Sequence, residues 1–205
     1  MLKKLGFLLV LAMLTPLAAF ASGQVDFTNA GGTLAGSSAG LSLTNSTLIS
    51  VDGLNGGTLV AGQDLGTVNF TTGVLTSGSL QMGGTFAGGG TFQIVGKGIN
   101  GVTAGPIFTG SFSGPLTWTL FTLPNGTHNY TLSGTMVGSM TNGSPASGVT
   151  VQLTVNTHKG FFNGKTNISS GDTNLTTVTS EPGTLMLFGT GLVGLAGVLR
   201  KRFTA

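Results

Sequence analysis

Phe108-Thr-Gly-Ser-Phe-Ser-Gly-Pro-Leu-Thr-Trp-Thr-Leu120 decides the fold class. Phe108, Phe112, Leu116, Trp118 and Leu120 share one parity, and Thr109, Ser111, Ser113, Thr117 and Thr119 take the other. A period of two puts alternate side chains on opposite faces of a sheet. The same alternation runs through Val149, Val151, Leu153 and Val155 against Thr150, Gln152, Thr154 and Asn156. It returns in Tyr130, Leu132, Met136 and Met140 against Thr131, Ser133, Thr135 and Ser139. Shorter versions cover residues 41–43, 68–70, 80–86 and 92–94. Before residue 183 the mature chain shows no sustained helical period, so the spacing predicts an all-β body.

Turn signals cut these runs apart: Asn55-Gly56-Gly57, Gly88-Gly89-Gly90, Asn100-Gly101, Pro124-Asn125-Gly126 and Asn142-Gly143. Asn-Gly and Gly-Gly pairs supply the positive φ that tight hairpins need. One apolar and one polar face per strand predicts an antiparallel β-sandwich of about ten strands. Inward-parity glycines at 110, 114, 134 and 138 offer the alternative of strands curling into a barrel. The Gly/Thr-rich stretch 58–91 offers stacked solenoid coils, though it lacks a fixed repeat. An outer-membrane barrel would need aromatic girdles, and one Trp and one Tyr make poor ones. Residues 22–40, rich in Gly, Ser and Ala, read as a flexible lead-in, and 169–180 as a polar linker with Leu175 and Val178 extending a last strand.

Both ends carry targeting signals. Residues 1–21 read as a signal peptide: Lys3 and Lys4, an apolar run over 5–14, Pro16, then Ala19-Phe20-Ala21. Ala19 and Ala21 supply the small-x-small pattern that signal peptidase accepts, so the mature chain would begin at Ser22. At the other end, residues 183–199 hold 17 residues without a charge. That length suffices for one membrane helix. Arg200, Lys201 and Arg202 follow as a basic stop that stays cytoplasmic, leaving the body outside the inner membrane. Gly191, Gly194 and Gly197 give the helix a low-relief face for close approach of another helix.

The stretch Ser180-Glu-Pro-Gly-Thr-Leu-Met-Leu-Phe-Gly-Thr-Gly-Leu-Val-Gly-Leu-Ala-Gly-Val-Leu-Arg-Lys-Arg202 resembles the PEP-CTERM sorting domain of Gram-negative exported proteins. Glu181 and Pro182 match its short motif, and Ser180 stands where the family usually has a first proline. The resemblance implies recognition by an exosortase, an inner-membrane transpeptidase-like processing enzyme, with loss of the helix and delivery to the exterior. It also implies association with exopolysaccharide or biofilm matrix. It covers residues 180–202 only. The expected organisation is therefore a signal peptide over 1–21, a sandwich over 22–168, the linker, and the sorting motif, helix and basic tail over 181–202.

Composition narrows the function classes. The formal charge of +3 rests on Lys3, Lys4, Arg200, Lys201 and Arg202. Without the signal peptide and the basic tail, three lysines face five acids, a net charge of −2. No basic surface for nucleic acid phosphates remains. Cysteine is absent, which excludes disulfides, thiol nucleophiles and Cys-based zinc sites.

Catalytic motifs fail on context. Gly96-Lys97-Gly98-Ile99-Asn100-Gly101 matches G-x-G-x-x-G, but no helix pattern follows and no acid lies about 20 residues on. Gly36-Ser37-Ser38-Ala39-Gly40 matches G-x-S-x-G within a loop that leads into a strand, whereas a nucleophile elbow leads into a helix. His128 and His158 need a third ligand to hold zinc. The few carboxylates do not announce a glycosidase pair, although Asp26 could meet Asp52 or Asp64. Seven Asn-x-Ser/Thr sequons, at Asn45, Asn69, Asn125, Asn129, Asn142, Asn167 and Asn174, carry no default meaning under a bacterial address. Trp118 reads as core, with a sugar-stacking platform as its rival.

The expectation is an exported, non-enzymatic surface or matrix protein without cofactor or metal. A secreted carbohydrate-binding module is the alternative, and a secreted hydrolase a third.

Overall fold

Thirteen strands make up the described part of the chain, residues 21–179 of a computed structural model. They are β1 Ala21–Ala30, β2 Thr33–Ser37, β3 Gly40–Asp52, β4 Val60–Thr71, β5 Leu75–Ser79, β6 Gly83–Phe86 and β7 Gly89–Gly96. They continue with β8 Gly105–Phe112, β9 Leu116–Thr122, β10 His128–Met140, β11 Pro145–Asn156, β12 Lys165–Asn167 and β13 Ser170–Thr179. A single 3-10 turn, Leu54–Gly56, is the one helical element among the described residues. None there is long and apolar enough to cross a membrane. Gly23–Val178 forms a compact unit of its own.

The all-β, antiparallel class is as expected. Hydrogen bonding joins the strands into one sheet, where alternation alone reads as two. The order runs β11-β13-β1-β3-β4-β7-β8-β10-β9-β6-β5, and an additional β10–β11 pairing returns the path to its start. Eight strands thus form a ring. β10 makes this possible by dividing its partners. Its first half pairs with β9 (Leu132 opposite Trp118), and its second half pairs with β8 (Met140 opposite Phe108). β3 divides likewise between β2 and β1. Alternation tells which face a residue takes, but not which strand lies beside it, so this closure is invisible in any one run.

The predicted turns hold. Between β9 and β10, Gly126 has φ 79° and its N–H donates to Leu123 O at 2.9 Å. Between β10 and β11, Gly143 has φ 82° and donates to Met140 O at 2.9 Å.

Two stretches, 22–40 and 169–180, differ from expectation, and a third, 58–91, excludes one alternative. Residues 22–40 supply β1 and β2, with Phe27 and Leu34 fully buried; Gly31 and Gly32 form the turn that divides them. Residues 58–91 form β4, β5, β6 and the start of β7, in antiparallel pairs rather than stacked coils. The presumed linker is largely β13, in which Gly171, Thr173, Leu175 and Thr177 alternate inward. Threonine and glycine on the buried parity conceal that strand in the sequence.

Burying the apolar parity makes one core. Phe70, Phe92, Phe108 and Phe112 pack with ring centroids 5.7–6.1 Å apart. Trp118, Tyr130 and Phe162 form a second aromatic group within it. Gly110 and Gly138 leave space for the Phe108 ring. A Cβ built on Gly138 would lie 2.5 Å from the Phe108 ring.

Candidate functional site: a neutral polar face beside an acidic row

The outward parity of β9, β10 and β11 is aligned by their register. Thr119 lies opposite Thr131, which lies opposite Thr154; Thr117, Ser133 and Gln152 form the next row, and Phe121, Asn129 and Asn156 the one before. Thr135 faces Thr150 beyond. β13 extends two rows with Ser170 and Asp172 and places Asn174 beside Thr150. Neighbouring strands sit about 4.8 Å apart, and successive outward residues about 6.7 Å apart along a strand. Across β9, β10 and β11 these rows carry hydroxyl and amide groups and no charge, none of them buried. Such a face offers donors and acceptors at regular intervals to another neutral polar surface.

Within the three rows that include β9, one apolar side chain interrupts it. Phe121 is 53% exposed. It shares the odd parity of Thr117 and Thr119. Phe161, 46% exposed, stacks on the His128 ring at 4.3 Å. Trp118, by contrast, is 1% exposed and donates its Nε1–H to Leu80 O at 2.9 Å. It is a core residue as expected and no surface platform.

Beyond β13 the face turns acidic. Asp26 and Asp52 are register partners on β1 and β3, so two of the carboxylates weighed as a pair do meet. Asp64 instead bonds Lys97, with both side chains about half exposed (50% and 48%). Asp172, absent from the sequence-based pairing, joins through β13. Thr28 Oγ1 donates to Asp172 Oδ1 at 3.4 Å and Gln24 Nε2 donates to Asn174 Oδ1 at 2.8 Å. Nothing in the sequence brings residue 172 to residue 26; that takes β13 beside β1. Asp26 Oδ1 is buried without a hydrogen-bond partner. Among the described residues, no group of three His, Cys, Asp or Glu is arranged to hold a metal ion.

Burial, above all, raises the Asp26 pKa from 3.8, with the Asp172 charge, a hydrogen bond to Asp172 and the Asp52 charge adding to it; a bond from the Phe27 N–H opposes them. The folded chain therefore holds this proton more tightly than the unfolded chain. The stabilisation is fully present below pH 3.8 and is lost as pH rises through the folded pKa. Asp26→Asn, which removes the charge, is expected to melt higher than the parent at pH 7. The gap should close as pH falls toward 3.8, and paired thermal melts at the two pH values check it.

The remaining motifs resolve into turns. Gly98, Asn100 and Gly101 take positive φ in the β7–β8 connection, and strand β8 follows. Ser38 is exposed in the β2–β3 turn. His128 and His158 come together through the backbone, His128 N–H donating to His158 O at 2.6 Å. The His128 Nδ1 lies 3.2 Å from Gly160 O. Among the described residues, no ion pair joins either histidine to a carboxylate. A mostly apolar open groove of about 220 Å³ lies between Leu54, Thr103, Ile107 and Met140.

Ala21 opens β1. Ala19, Ser180, Glu181, Pro182, Gly191, Gly194, Gly197, Arg200, Lys201 and Arg202 lie outside the described residues. So do the signal and membrane helices expected there. A search of curated proteins and of solved structures returns no match. Residues 178–202 match the family model of the PEP-CTERM protein-sorting motif, so the chain carries that motif at its C-terminal end.

Proposed function

We propose that this chain is an exported, non-enzymatic protein of the cell surface or extracellular matrix. Signal peptidase removes residues 1–21, and the apolar run 183–199 holds the precursor in the inner membrane with Arg200, Lys201 and Arg202 inside. An exosortase-type enzyme then acts at Ser180, Glu181 and Pro182, and the body passes to the exterior. The PEP-CTERM motif at 178–202 carries this reading, because it points to export through exosortase-type sorting. The position of the C-terminus in protein recovered from outside the cell tests it. The neutral rows of β9, β10 and β11 support a contact role, with exopolysaccharide or a neighbouring matrix protein as partner. Uncharged hydroxyls and amides suit a polyhydroxylated chain better than an ionic one.

One observation favours the second reading, a carbohydrate-binding module. The exposed Phe121 ring shares its row with the Asn129 and Asn156 amides, a combination that stacks on a sugar ring and bonds its hydroxyls. Phe121→Ala is then expected to weaken retention on a neutral glycan about 5- to 150-fold, since stacking contributes about 1–3 kcal/mol by comparison with bases on aromatic rings. Affinity electrophoresis in gels cast with candidate glycans measures this. Equal mobility of parent and variant in every gel would remove the module reading.

A further inference from the structure

Strand β13 is held on both sides. It lies between β11 and β1, and its register with β11 runs as far as Thr177 opposite Ala146. Leu175 is buried in the core, and the buried Thr177 donates its hydroxyl to Gly23 O on β1 at 3.1 Å. Only Val178, Thr179 and Ser180 separate Thr177 from Glu181 of the sorting motif. Three extended residues span about 10 Å. An enzyme that takes an extended peptide binds residues on both sides of the bond it cuts, through main-chain hydrogen bonds and side-chain pockets. On the N-terminal side such residues run back to Thr177, which β11 and β1 already hold.

We propose that processing at the motif is gated by fraying of the C-terminal end of β13. This rests on the sorting reading above and adds its regulation. The sorting enzyme acts on chains in which the Thr177 end has left β11 and β1. The reaction breaks one backbone amide. The acyl half passes to the enzyme nucleophile and then to water or an acceptor amine, and the amine half departs with the C-terminal segment. When opening and reclosing outpace the cut, the rate follows the population of the open state. β13 is also the last strand of the ring to be synthesised, so closing the ring and cutting the tail compete for the same residues.

Pulse-labelling of the full chain in its processing host tests the gate. The parent is compared with a chain carrying ten Gly/Ser residues inserted between Thr179 and Ser180. It is also compared with an Ala146→Cys/Thr177→Cys variant, whose cysteines replace register partners in a chain that has no others. An oxidising compartment favours their bridging. The insertion should speed processing about tenfold, as relief from even a modest opening cost gives. The bridge should slow it about tenfold, with reductant restoring the parent rate and the insertion cancelling the delay. If the bridge does not form, the insertion decides alone. A half-time within about twofold of the parent after the insertion overturns the gate while leaving the sorting reading intact. Absence of cleavage in parent and insertion variant alike overturns the sorting reading, and the gate with it.

Discussion

Trp118→Ala should cost the body about 3–5 kcal/mol and lower its Tm by about 10 °C or more. The indole is 1% exposed, stacks on Tyr130 at 4.9 Å and meets the Phe162 edge at 5.6 Å. Its loss empties the centre of the second aromatic group. The same change removes the donor to Leu80 O, leaving that carbonyl to find water. Tyr130 is bound to the same neighbourhood, its hydroxyl donating to Gln81 O at 2.7 Å and accepting from Phe162 N–H at 3.1 Å. Two connections, the β5–β6 turn and the segment before β12, are thus fastened by one ring pair. Domains are stable by only about 5–15 kcal/mol, so the loss is a large share of the whole. Phe121→Ala, on the exposed parity of the same strand, should change stability by no more than about 0.5 kcal/mol. Urea or thermal melts of both variants decide the matter. Equal melts would mean that Trp118 does not lie in the core.

Gly138→Val should approach that cost, for the opposite reason. Gly138 faces Gly110 across the β8–β10 seam. A Cβ there would lie 2.3 Å from Thr109 O and 2.8 Å from the Gly110 Cα, both backbone atoms of β8, as well as against Phe108. Side chains can rotate away, but the backbone of β8 can yield only by parting from β10. Overpacking of this kind costs about 1–3 kcal/mol or more. Valine adds two methyl groups beyond the Cβ, which places the variant at the upper end. Gly114, between β8 and β9, is the control. A Cβ there meets nothing nearer than Thr135 Oγ1 at 3.9 Å, so Gly114→Ala should be close to neutral. Denaturant unfolding of the two variants separates a glycine required for space from one that is not.

Much of this was legible in residues 108–120, and the reasons are physical. Sheet parity is a local property, so Trp118 inward and Thr119 outward follow from alternation. Pro124-Asn125-Gly126 and Asn142-Gly143 mark their turns because few other residues take positive φ. The inward-parity glycines offered a closed barrel as an alternative, but the order of the ring was not legible, since it depends on β10 changing partner halfway along and on β13 entering between β11 and β1. β13 was legible only as a last strand through Leu175 and Val178, because Thr173 and Thr177 occupy inward positions that usually hold Val or Ile. The functional surface follows the same division. Each Thr-rich run was visible, but the rows need the register between strands. Asp26 and Asp52 were candidates for a pair, and Asp172 joined them only through the position of β13.

Mass spectrometry of the C-terminal peptide, from protein recovered outside the cell, tests the central claim most directly. Export through the motif at 178–202 predicts a new terminus near Glu181-Pro182 in the surface or released fraction, with the apolar run absent. An intact chain ending at Ala205, confined to the inner membrane, would contradict it and leave a tethered periplasmic protein in its place.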